Sequence, residues 1–180
     1  FPLLKDNKVW MGCTIHSGDR EFGVPDEYPL EAAGCRIDEN GKKYIRVKGV
    51  RWYTNIDHGY RHNPLSLMSM ADNIKYSKHK EIQGKKYQHY DNYDAIEIPY
   101  TDAIPCDYEN LMGVPVTFLD KYCPEQFDII WQACGNTRAS APKEILDEVG
   151  YTIHPEDRGG CGVVNNKRQY ARILIRKKHL

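Results

Sequence analysis

The chain has 180 residues, 41% hydrophobic and 28% charged, with 25 basic and 25 acidic side chains. That suits one globular domain with a real core, and no apolar run approaches the roughly 18 residues of a membrane span. The zero net charge conceals segregation: Lys/Arg against Asp/Glu run 4 to 8 over residues 1–41, 11 to 3 over 42–89, 4 to 14 over 90–166 and 6 to 0 over 167–180. Basic blocks that meet in space would attract a polyanion, and blocks that stay apart would be solvated surface.

Residues 1–8 read as the end of a helix, which implies that the natural protein begins upstream, and 9–12 as a short buried strand. Residues 16–41 are turn-rich. Asn40-Gly41 signals a hairpin between Arg36-Ile37-Asp38 and the alternating 43–47. The β-branched and aromatic stretch 50–55 reads as a strand with Trp52 in the core. A polar loop is expected at 57–64, and lysine-rich irregular surface at 71–90.

Residues 95–98 predict a strand stopped by Pro99, and 114–119 an apolar strand whose Pro115 implies an edge or bulge. One helical turn at 123–127 precedes a strand at 127–131, and 142–149 reads as a helix stopped by Gly150. A turn at 159–162 and a final strand at 171–176 follow, with Arg172 and Arg176 guarding an exposed edge. The sum is sheet-dominated α+β with long loops, and loops of that length tend to be functional.

Several chemistries lack their residues. The cysteines at 13, 35, 106, 123, 134 and 161 suit no zinc module and read as reduced thiols in a cytosolic protein. An amino-methyltransferase needs a short acidic or amide residue, then Pro-Pro and an aromatic, to hold a flipped base; no two prolines are adjacent. The glycine cluster 159–162 leads into Val163-Val164-Asn165-Asn166, which does not read as a cofactor-binding helix. The only Asp/Glu-x-Lys, Asp6-Asn7-Lys8, precedes Pro25-Asp26, the wrong order for a nuclease. His58 and His62 are four apart, but Gly59 and Pro64 argue against the helix that would make them metal ligands. No catalytic, cofactor-binding or metal residue is assigned.

Recognition chemistry is concentrated at 51–62. Arg51 suits phosphate; Asn55, His58 and Arg61 lie where a polar loop after a strand would either present base-reading groups or simply meet solvent, and His62 is placed with them toward DNA. Lys75, Lys78, Lys80, Lys85 and Lys86, interleaved with Tyr76, Tyr87 and Tyr90, could track a phosphate backbone or form a solvated loop.

Long motifs in a fixed order then carry a resemblance: 51–58 (RWYTNIDH), 90–97 (YDNYDAIE), 104–108 (IPCDY), 112–122 (MGVPVTFLDKY) and 170–178 (YARILIRKK). Together with 1–5 and 8–12 they resemble the EcoRI-type adenine-specific DNA methyltransferases, over nearly the whole chain. The resemblance implies the sheet-dominated C-terminal part of a Rossmann-like methyltransferase with long recognition loops. Residues 1–15 would end the catalytic core, and 16–180 would form the target-recognition region with a final strand at 170–177. It implies transfer of methyl from S-adenosylmethionine to adenine N6 of double-stranded DNA in cytoplasmic restriction-modification. The cofactor would be bound by a missing upstream catalytic half, and this chain alone would be inactive. A stand-alone DNA-binding module and a protein-interaction domain are the competing expectations.

Overall fold

Ile173, Leu174 and Ile175 are buried whichever way they point, so their strand needs cover on both faces. The computed structural model describes residues 1–12, 18–29 and 34–178. Cys13, His16, Ser17, His179 and the expected boundary at 15/16 lie outside the described residues. The chain runs through α1 (Pro2–Lys5), β1 (Trp10–Met11), β2 (Gly18–Gly23), β3 (Cys35–Ile37), β4 (Lys43–Val50) and β5 (Tyr53–Thr54). It continues through α2 (Met70–Tyr76), β6 (Ala95–Glu97), β7 (Leu111–Pro115), β8 (Phe127–Ala133), α3 (Lys143–Glu148), β9 (Val163–Val164), β10 (Lys167–Arg168) and β11 (Arg172–Lys177). The result is a sheet-rich α+β fold.

The principal sheet has the order β6-β7-β11-β8, with β6 and β7 parallel and β11 antiparallel to both its neighbours. Strand alternation sorts its side chains into two cores. Ile96, Met112, Val114, Ile129, Ile173 and Ile175 pack with Phe118 and Phe127 in one; Ala95, Leu111, Trp131 and Leu174 pack with Tyr90, Tyr93 and Val149 in the other. A separate antiparallel sheet, β2-β4-β3, forms an arm in which no residue is fully buried. β1 pairs with β5, and β9 with β10. Among the described residues no helix is long and apolar enough to cross a membrane, and Cys35, Cys106, Cys123, Cys134 and Cys161 are free thiols.

Five local expectations need correction. The last strand is interior, and Arg172 does not guard an edge; it pairs with Glu97 at 2.5 Å, with side-chain exposures of 11% and 10%. Residues 70–76 are helical, because the Ser69 hydroxyl accepts from the Asp72 amide (3.0 Å) and donates to its carboxylate (2.7 Å). The strand at 50–55 is broken: β4 ends at Val50, β5 holds only Tyr53–Thr54, and Trp52 and Tyr53 are each 46% exposed. Pro115 ends β7, after which 116–121 turns as a 3₁₀ helix. The hairpin forms, but its turn is longer than the two-residue Asn-Gly type. The Gly41 amide donates to Asp38 (3.0 Å), and Gly41 alone of residues 38–41 has positive φ, +78°. The Asp38 carboxylate accepts from the Asn40 and Lys42 amides, which holds its pKa below the usual range.

Candidate nucleic-acid interface

The segment 51–62 is organised around a tryptophan fifty residues upstream. Trp10 stands opposite Thr54 in the β1–β5 ladder, and its indole donates to the Ile56 carbonyl at 3.0 Å. The Thr54 hydroxyl accepts from the Ile56 amide (3.0 Å), which turns the chain out of β5. The Arg61 guanidinium lies 3.7 Å from the centroid of the Trp10 ring, and donates to Asn7 Oδ1 at 3.2 Å. The same Asn7 oxygen accepts from the Tyr122 hydroxyl (3.1 Å), and Asn7 reaches it from a left-handed backbone, φ +53°. His58 Nε2 donates to the Met11 carbonyl (2.9 Å); a carbonyl can only accept, so this nitrogen carries the proton. Arg51 bonds the Val116 carbonyl (3.4 Å) and faces Asp120 (3.5 Å).

His62 closes the loop from the other side. Nε2 lies 2.9 Å from Asp57 Oδ1 and Nδ1 lies 2.8 Å from Glu125 Oε1. Two carboxylates can engage both nitrogens only if both carry protons. The hydrogen bond to Asp57, then that to Glu125, raises the His62 pKa above 6.5. The same bond lowers Asp57. Burial pushes Glu125 up, but bonds from Cys123 and His62 outweigh it and hold its pKa below 4.5.

The expected site residues therefore divide. Arg51, His58 and Arg61 are turned into the protein by these contacts. Asn55 and His62 are exposed, as are Tyr60 (70%) and Ile56 (73%), of which sequence reasoning passed over Ile56. The lysines stand elsewhere. Lys75 lies 4.8 Å over the Tyr76 ring in the last turn of α2, and Lys78 pairs with Asp102 at 2.8 Å. Lys85 and Lys86 line a cavity of about 220 Å³ with Glu81, Gln88, Glu97 and Arg172. His58 and Arg61 line a different one of about 80 Å³ with Trp10 and Asp120. Trp10 and Asn7 were also missed: nothing local in their sequence signals that a distant loop folds onto them.

Residues 1–178 match the family described as "Adenine-specific methyltransferase EcoRI". The chain belongs to this family. Type II methyltransferase M.EcoRI of Escherichia coli is 38% identical over 180 residues, which is 100% of this chain and 46% of that protein. Type II methyltransferase M.MgeORF184P of Mycoplasma genitalium is 31% identical over 183 residues, covering 100% of the chain and 53% of the relative. Type II methyltransferase M.MpnI of Mycoplasma pneumoniae is 28% identical, with 99% and 52% covered. The chain thus spans about half the length of the curated family members it matches. No solved structure matches it.

Proposed function

We propose that the chain is the C-terminal, DNA-recognising part of an adenine-specific (N6) DNA methyltransferase of restriction-modification. The family match from residue 1 to 178 carries the proposal. The basic excess over 42–89 supports a polyanionic partner, since neutralising phosphates releases their counterions. On this proposal the principal sheet continues the Rossmann-like sheet of the parent, and double-stranded DNA lies against loop 55–62.

S-adenosylmethionine would be the methyl donor, and its site is assigned to the rest of the parent. A nucleoside cofactor is commonly cradled where a glycine-rich turn joins a strand to a helix. Here Gly159-Gly160-Cys161-Gly162 runs into β9, a strand, so its amides open no helix for the cofactor. On this proposal the chain alone transfers no methyl group.

The proposed DNA contacts are Asn55 and His62 from the loop, with Tyr60 and Ile56 beside them, and Lys75, Lys78, Lys85 and Lys86 toward phosphate. Arg51, His58 and Arg61 hold the loop in shape. The test is titration of the folded chain with labelled duplex at two salt concentrations. Affinity that falls steeply with salt is expected, and loss of any sequence preference in Asn55→Ala would place base reading in the loop. A folded chain that binds no duplex at low salt would sink the proposal.

A further inference from the structure

In an antiparallel sheet, directly opposed residues project from the same face. In the arm Glu21 opposes Arg46 and Arg36 opposes Tyr44, so these four share a face; Lys42, just before β4, lies over the Tyr44 ring, and Lys48 follows Arg46 at the bulge where the β2–β4 register shifts. The other face carries Phe22, Cys35, Ile37, Ile45 and Val47, with Arg20 opposite Val47 and Lys43 opposite Ile37, and Phe22 meets Trp52 at 6.3 Å, at the foot of the arm.

The polar face is preorganised. Arg36 makes a fork to Glu21, with Nε 3.0 Å from Oε1 and Nη2 2.7 Å from Oε2. Its guanidinium also lies 4.4 Å from the Tyr44 ring centroid, with Lys42 on the same ring at 5.7 Å. Arg46 pairs with Asp19 at 2.7 Å. Arg36, Arg46 and Lys42 thus stand with two carboxylates, on a surface where both ion pairs are solvated.

Exposed ion pairs of this kind contribute little to stability. What they do supply is guanidiniums already ordered and already planar to an acceptor, a geometry that suits phosphate oxygens and guanine edges as well as carboxylates. The eight residues of β4 run about 26 Å, long enough to lie along a duplex backbone. From Lys42 to Arg61, the stretch that leaves the arm and enters the recognition loop, six basic residues face one acidic one.

We infer that the polar face of the β2-β4-β3 arm, through Arg36, Arg46 and Lys48, is a second DNA-contacting surface, laid along the duplex beside the loop. The inference rests on the DNA-recognition proposal. It names residues outside the 51–62 and 75–86 sets and makes duplex DNA the occupant of this exposed face.

Two variants test it by fluorescence anisotropy with a labelled duplex over a salt series: Lys48→Gln, and the triple Arg36→Gln/Arg46→Gln/Lys48→Gln. Circular dichroism confirms folding first. Removing one cation from a phosphate should flatten the slope of log affinity against log salt by ~0.9, so the single change gives ~0.9 and the triple ~2.7. The triple should also bind roughly tenfold or more weakly at low salt. A folded triple variant that binds with the wild-type affinity and slope overturns the arm inference and leaves the loop proposal standing. A wild-type chain that binds no DNA overturns both. Should the triple fail to fold, Lys48→Gln decides alone, because Lys48 is exposed and takes no part in the ion pairs of the arm among the described residues.

Discussion

Tyr90 lies against the backbone of Gly113, where a Cβ would overlap its ring and hydroxyl. Gly162 closes on the same ring from another segment. Burial, followed by the Glu97 charge, pushes the Tyr90 phenol well above its ordinary pKa, so it stays protonated and donates to Glu97. Gly113→Ala should destabilise the fold by about 1–3 kcal/mol through overpacking, as should Gly162→Ala. Urea denaturation of each variant checks this; wild-type midpoints would show that the ring has room to move.

Glu97 also holds Arg172 on the neighbouring interior strand. Glu97→Ala would leave that guanidinium buried without its partner, at a cost of about 3–5 kcal/mol. Thermal unfolding should show a far smaller loss for Arg176→Ala, whose pair with Glu148 is about 40% exposed on each side.

The stack of Arg61 on Trp10 sets the loop rather than meeting solvent. Arg61→Ala should cost about 2 kcal/mol. Arg61→Lys should recover only part of it, because the ammonium cannot both lie flat on the indole and reach Asn7. In DNA titrations both variants should weaken binding through loop disorder, with increased hydrogen exchange at 55–62 as the accompanying sign.

His62 makes the loop pH-dependent. Its folded pKa is raised, so its stabilising contribution is complete below about 6.5 and is lost as pH climbs through the raised value. Asp57 and Glu125 are lowered, so theirs is present above 3.8 and 4.5 and is lost as pH falls through the folded values. The bridge is therefore intact between those limits. The His62 imidazole protons should titrate in NMR above 6.5, and Asp57→Asn should move that midpoint down. A wild-type midpoint at or below 6.5 would rule the bridge out.

Ser69→Ala removes the N-terminal cap of α2 and should cost about 1 kcal/mol. Ser69→Asp, which can still accept from the Asp72 amide, should lose much less by denaturant midpoint.

Much of the principal sheet was legible because β6, β8 and β11 are short apolar runs bounded by prolines, glycines or charges. α3 was legible from its stop at Gly150, φ +60°. Helix α2 was not, since in seven residues only Met70 and Ile74 stand at helical spacing, too short a pattern to set against the lysine-rich surroundings, although Ser69-Met70-Ala71-Asp72 held the capping signal. Trp52 and Arg172 misled for one reason. Residue type says which side chains can be buried, and only the tertiary partner decides: Trp52 finds Phe22 at the surface, and Arg172 finds Glu97 inside. For the candidate site, residue chemistry singled out the segment 51–62, but the inward turn of His58 and Arg61 depends on Met11 and Trp10, about fifty residues away.

β11 lies between β7 and β8, yet it follows both in the chain. As the polypeptide leaves the ribosome, two strands with apolar faces and unpaired edges must wait for Arg172–Lys177 to emerge and fill the gap between them. Until then neither core can close, because Leu174 belongs to one and Ile173 and Ile175 to the other. Such an order makes folding slow and late, and leaves the unfinished chain open to edge-to-edge association with its neighbours.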